Sequence, residues 1–107
     1  MKNEQESKEE SAEELQSVEH ALQNNLMQRQ TLQVEQNEID TAMKEVLASN
    51  GEVYKLASGI LIRSEPKKLQ TELEAKKKMI EAKISALDKQ SLSLENRASQ
   101  LRKALQN

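Results

Sequence analysis

The stretch 51–66, Gly-Glu-Val-Tyr-Lys-Leu-Ala-Ser-Gly-Ile-Leu-Ile-Arg-Ser-Glu-Pro, most limits what this chain can fold into. It holds both glycines, the single proline and the single aromatic residue of the 107. Val53-Tyr54-Lys55-Leu56 and Ile60-Leu61-Ile62-Arg63 are short runs rich in β-formers. Ala57-Ser58-Gly59 between them suits a tight loop, with Gly59 free to take a positive φ. The reading is a β-hairpin over 52–63, set between two long helices. An isolated two-stranded hairpin is marginal in water, and its outer edges carry unpaired backbone N–H and C=O groups. Both problems vanish if hairpins from several chains join into one sheet or barrel, so the segment reads as an assembly module. The alternative is a hairpin folded back on its own coiled coil.

The flanks explain why no compact core competes with this plan. The chain has one aromatic residue, no Trp or Phe, and 32% charged residues. Such a composition belongs to a long helix or coiled coil, stabilised by seams between helices. The expected fold is all-α, a long antiparallel coiled coil with a central β-hairpin, in a single domain over 1–107.

A heptad register runs through Leu15, Val18, Leu22, Asn25, Arg29, Leu32, Gln36, Ile39, Met43 and Val46, with seven of ten apolar. Asn25, Arg29 and Gln36 weaken its middle. The second register is stronger: Gln70, Leu73, Lys77, Ile80, Ile84, Leu87, Ser91, Leu94, Ala98, Leu101 and Leu105, with eight of eleven apolar. Residues 1–10 are expected to be flexible or a frayed helix start, with Ser11 and Glu14 resembling a capping box. Helix 1 is expected over 11–49, stopped by Ser49-Asn50-Gly51. Helix 2 is expected over 64–106, with Ser64 as N-cap and Pro66 in its first turn. Helices of about 35 to 40 residues extend roughly 50 to 60 Å. The hairpin makes them antiparallel, with Val46 beside Leu69 near the hairpin and Leu15 and Val18 beside Leu94 to Leu105 at the far tip.

Charge supports the fold-back. Residues 1–50 hold 4 Lys/Arg and 11 Asp/Glu, a net of −7, whereas residues 51–107 hold 12 and 7, a net of +5. Opposite arms favour pairing. The basic arm has no interleaved aromatics, so it is not a nucleic-acid footprint. Lys76-Lys77-Lys78 reads as a solvated face, with Lys77 snorkelling from the seam edge.

Catalytic and metal chemistry find no foothold. His20 is the only histidine and there is no cysteine, so disulfides, thiolate zinc and His-rich metal sites are excluded. No phosphate-binding Gly-rich loop is present. The chain is read as a non-enzyme with no metal and no cofactor. No run approaches the roughly 18 apolar residues of a membrane span, and residues 1–14 lack a signal-peptide core. The expectation is a soluble, cytoplasmic protein without membrane contact.

Glu52-Val53-Tyr54-Lys55 and Gly59-Ile60-Leu61-Ile62-Arg63, set between returning heptads over about 11–106, resemble the hairpin of archaeal β-class prefoldin subunits. The single hairpin separates this chain from the α class, which carries two. The resemblance implies an ATP-independent chaperone in which two α and four β subunits join through their hairpins into intersubunit β-barrels. Its partners would be a prefoldin α-class subunit, further copies of itself, unfolded client proteins and a group II chaperonin. On this reading Val53, Tyr54, Leu56, Gly59, Ile60, Leu61 and Ile62 form the oligomerisation hairpin. Leu15, Val18, Leu22, Leu94, Ala98, Leu101 and Leu105 form a client-binding tip, where several weak contacts would give avidity. Taken singly, each of those seven is better explained by ordinary seam packing; the functional reading concerns the cluster. The rival reading is a structural coiled-coil scaffold whose hairpin docks a dedicated partner.

Overall fold

A computed structural model describes residues 3–49 and 51–106. The element order is α1 (Glu4–Ala48), β1 (Val53–Ala57), β2 (Ile60–Ser64) and α2 (Pro66–Gln106). Two compact units form, each from one segment of α1 and one of α2. The second also contains the hairpin.

The first unit joins Met1–Gln30 to Ile84–Asn107. Leu15, Val18, Leu22 and Asn25 of α1 and Ile84, Leu87, Ser91, Leu94, Ala98, Leu101 and Leu105 of α2 are all buried or half-buried, as the heptad spacing requires. Val18, Ala98 and Leu101 form the core, with Leu15, Leu22 and Leu94 packed against it. The polar seam positions find partners. Buried Asn25 donates through Nδ2 to Gln90 Oε1 at 3.3 Å and to Ser91 Oγ at 3.4 Å. Arg29 stays exposed and donates through Nε to Asp88 Oδ1 at 2.8 Å. From Asn25 to Arg29 the partners run back from Gln90 and Ser91 to Asp88, so the segments are antiparallel.

The second unit is Thr31–Lys83. Its seam comprises Leu32, Gln36, Ile39, Met43 and Val46 with Gln70, Leu73, Lys77 and Ile80, again all buried or half-buried. Lys77 reaches Asp40 at 3.1 Å, while Lys76 and Lys78 are exposed. Glu14–Arg97 and Glu19–Arg102 in the first unit, and Asp40–Lys77 in the second, each pair an acid of α1 with a base of α2. The charge imbalance between the arms is thus spent partly on pairing them.

Both helix starts differ from the sequence expectation. Helix 1 begins at Glu4 rather than at 11, because Asn3 Oδ1 accepts the Glu6 N–H at 2.7 Å, an N-cap bond. Glu4 and Glu6 in that first turn suit the helix dipole. Residues 1 and 2 of the expected flexible terminus lie outside the described residues. Ser11 falls inside the helix, and Glu14 binds Arg97 instead of closing a capping box. Ser64 is not the cap of α2: it pairs with Val53 as the last residue of β2. The carbonyl of Glu65 accepts the Leu69 N–H at 3.0 Å, which makes Glu65 the cap and Pro66 the first helical residue. At the end of α1 the Ser49 N–H and Oγ both donate to the Val46 carbonyl, at 3.2 and 2.8 Å. Asn50 of the expected stop signal lies outside the described residues.

Candidate functional site

The hairpin closes through a two-residue loop, Ser58-Gly59, with φ of 51° and 80°. Two successive positive φ values match the type I′ geometry, whose twist fits the flanking strands. Sequence reasoning assigned this conformation to Gly59 alone. Nothing marked Ser58, because serine is not a residue that ordinarily favours it.

The ladder pairs Val53 with Ser64, Tyr54 with Arg63, Lys55 with Ile62, Leu56 with Leu61 and Ala57 with Ile60. Directly paired residues share a face, and neighbours alternate. One face therefore carries Val53, Lys55, Ala57, Ile60, Ile62 and Ser64. The other carries Tyr54, Leu56, Leu61 and Arg63. On the first face Val53, Lys55, Ala57 and Ser64 are half-buried, and Lys55 Nζ donates to Glu72 Oε2 of α2 at 3.1 Å. This bond holds the Glu72 carboxyl below the usual carboxylate range. The second face is open: Tyr54, Leu56 and Leu61 are 55%, 69% and 69% exposed. Ile60 and Ile62, beyond the half-buried part of the first face, are exposed too.

In a two-residue hairpin the closing pair, Ala57 with Ile60, exchanges hydrogen bonds, and alternate pairs do so after it. The backbone groups of Tyr54 and Leu56 on one edge, and of Leu61 and Arg63 on the other, consequently point away from the ladder. Among the described residues the sheet has two strands, β1 and β2. Two free edges and five exposed large apolar side chains thus occur in one segment.

The seven tip candidates lie in the first unit and are brought together differently. Val18, Ala98 and Leu101 are buried, with Ala98 fully covered, and Leu15, Leu22 and Leu94 pack around them. Leu105 is half-buried and lies outside that cluster, lining an open groove with Asn3, Lys8, Glu9 and Ala12. Arg97 grips Glu14 through both Nε and Nη2, the latter at 2.7 Å, which pushes the Glu14 carboxyl down and the guanidinium up. The Arg102–Glu19 pair adds a longer contact at 3.7 Å. In this arrangement the cluster is a closed seam flanked by ion pairs.

Among the described residues, the large apolar side chains that face solvent in this unit are Leu26, Met27 and Leu92. Leu26 lines a groove of about 340 Å³ with Leu22, Asn25, Arg29, Asp88 and Ser91. Sequence reasoning passed over all three because they fall outside the heptad register. Apolar residues off the register were the available signal. His20 is exposed. Among the described residues no group of three or more His, Cys, Asp or Glu is placed to hold a metal ion, and no helix is long and apolar enough to cross a membrane.

Comparison with known proteins converges on one family. The prefoldin subunit family model matches residues 9–107. Prefoldin subunit beta of Pyrococcus abyssi is 26% identical over 95 residues, covering 87% of this chain and 81% of that protein. Its counterpart from Pyrococcus furiosus is 25% identical with the same coverage. The crystal structure of the prefoldin beta subunit from Thermococcus strain KS-1 superimposes with a TM-score of 0.87 at 25% identity. That match covers 99% of this chain and 95% of the other.

Proposed function

The chain belongs to the prefoldin subunit family, and from that premise we propose that it acts as the β-class subunit of a cytoplasmic, ATP-independent holding chaperone. Its hairpin joins α-class subunits and further copies of itself in a hexamer of two α and four β chains. The assembly binds non-native proteins through the helix ends of its coiled coils and passes them to a group II chaperonin.

One observation carries the assembly part. The hairpin leaves both edges unpaired while Tyr54, Leu56, Ile60, Leu61 and Ile62 are exposed. Burying five such side chains is worth about 1.5 to 3 kcal/mol each when complete, and the edges direct that burial toward other strands. No nucleotide is needed for such an association.

Client binding rests on different ground. Leu15, Val18, Leu22, Leu94, Ala98, Leu101 and Leu105 become a binding surface only when the seam opens. The outward Leu26 and Leu92 are exposed without opening. The fully covered Ala98 favours a packing role for the seam, as the second reading requires: a structural coiled-coil scaffold whose hairpin docks a dedicated partner.

Aggregation of a denatured client, followed by light scattering with the α-class complex present, separates the two. Polar substitution of Leu105, which lies outside the buried cluster, is expected to weaken suppression while circular dichroism and assembly persist. Undiminished suppression would refute the tip assignment. A complex that never suppresses aggregation would leave the scaffold reading in place.

A further inference from the structure

Lys55 is an odd residue for the middle of β1. Its neighbours on the same hairpin face are Val53, Ala57, Ile60, Ile62 and Ser64, so it is the only charge there. Its Nζ lies 3.1 Å from Glu72 Oε2 on α2, and both side chains are partly covered. Lys55 is the main influence that keeps Glu72 ionised, but it is not the only cation near it. Lys68 and Lys76 stand one turn away on either side along α2, and both already favour its charge. Those lysines lie on the same helix as Glu72 and cannot tie it to another element. The bond from Lys55 joins two elements that the chain connects only through Glu65.

We propose that the Lys55–Glu72 pair is a latch that sets the tilt of the hairpin on α2 and thereby selects the face offered for assembly. It holds the Val53–Lys55–Ala57 side toward α2 and leaves Tyr54, Leu56 and Leu61 pointing away. The inference rests on the hairpin being the assembly module. Lys55 and Glu72 are then positioning residues, acting through the orientation of the strands without contacting the neighbouring subunit. A half-exposed ion pair is weak in itself. Its effect is multiplied because every copy of the hairpin must present the same edge and face at once.

The chain contains no cysteine, which permits a clean test. Spin labels are placed at Leu61→Cys and Lys76→Cys, and their separation is measured in the full chain before any partner is added. A narrow distance distribution is expected for the parent, a broad one for Lys55→Glu, and a narrow one again for the swapped Lys55→Glu/Glu72→Lys. Three indistinguishable distributions would overturn the latch. Assembly with an α-class prefoldin subunit is then titrated. Lys55→Glu is expected to raise the concentration for half-assembly roughly fivefold, and the swap to restore it. Loss without restoration by the swap would also overturn the proposal. A parent chain that does not assemble at all would instead overturn the reading of the hairpin, with the distance measurement still deciding the latch.

Discussion

Arg97 of α2 holds Glu14 of α1 with two parallel hydrogen bonds, from Nε and from Nη2, across 83 positions of sequence. This planar fork fixes direction as well as distance. It closes one flank of the core formed by Val18, Ala98 and Leu101.

The pair predicts an acid response. The Glu14 carboxyl is held below its ordinary value by Arg97, as Glu72 is by Lys55. A depressed folded-state pKa gives stability that is present above the unfolded value of about 4.3 and lost as pH falls through the lower folded value. Thermal unfolding midpoints should therefore drop below about pH 4.3. Glu14→Gln should be less stable than the parent at pH 7 and converge on it in acid. Equal pH slopes for the two would contradict this.

Asn25 predicts a polar layer that costs stability. It is buried and held by two long hydrogen bonds, to Gln90 and Ser91. Asn25→Leu with Ser91→Ala should raise the urea-unfolding free energy by about 1 kcal/mol, since apolar packing replaces a weakly satisfied polar cluster. Asn25→Ala alone should lower it by a similar amount.

Ala98 and Leu101 predict opposite packing errors. Ala98 is fully covered, so Ala98→Leu should cost about 1 to 3 kcal/mol by overpacking. Leu101→Ala should cost about 2 kcal/mol, the low end for a cavity, because a two-helix seam can collapse around the loss. Chemical unfolding monitored by helicity checks both.

The loop predicts a local strain. Ser58 holds φ at 51° without the freedom of glycine, so Ser58→Gly or Ser58→Asn should protect the hairpin amides better in hydrogen exchange. Gly59→Ala should weaken them by about 1 kcal/mol, although its added Cβ meets nothing within 4 Å. The penalty would be purely one of backbone conformation.

These elements were not equally legible in the sequence. The seam was readable because burial follows heptad spacing, and every register position except Arg29 is at least half-buried. The hairpin was readable because Gly59 and two β-rich runs stand inside helical surroundings. Which hairpin residues share a face was not readable, since a one-residue change in pairing exchanges the faces. The start of α1 was missed because a single Asn3 cap outweighs the high charge of residues 4–10. Ser64 was misassigned because the ladder with Val53 competes for the residue that would otherwise cap α2. That Leu15, Val18, Leu22, Leu94, Ala98 and Leu101 pack together was legible from their register, but spacing alone cannot tell a closed seam from an open one.

The most direct test is native mass spectrometry of this chain mixed with an α-class prefoldin subunit. The account predicts a hexamer with four copies of this chain and two of the partner, lost when Leu56 and Leu61 are both changed to Asp. A chain that stays monomeric or dimeric and ignores the partner would contradict it.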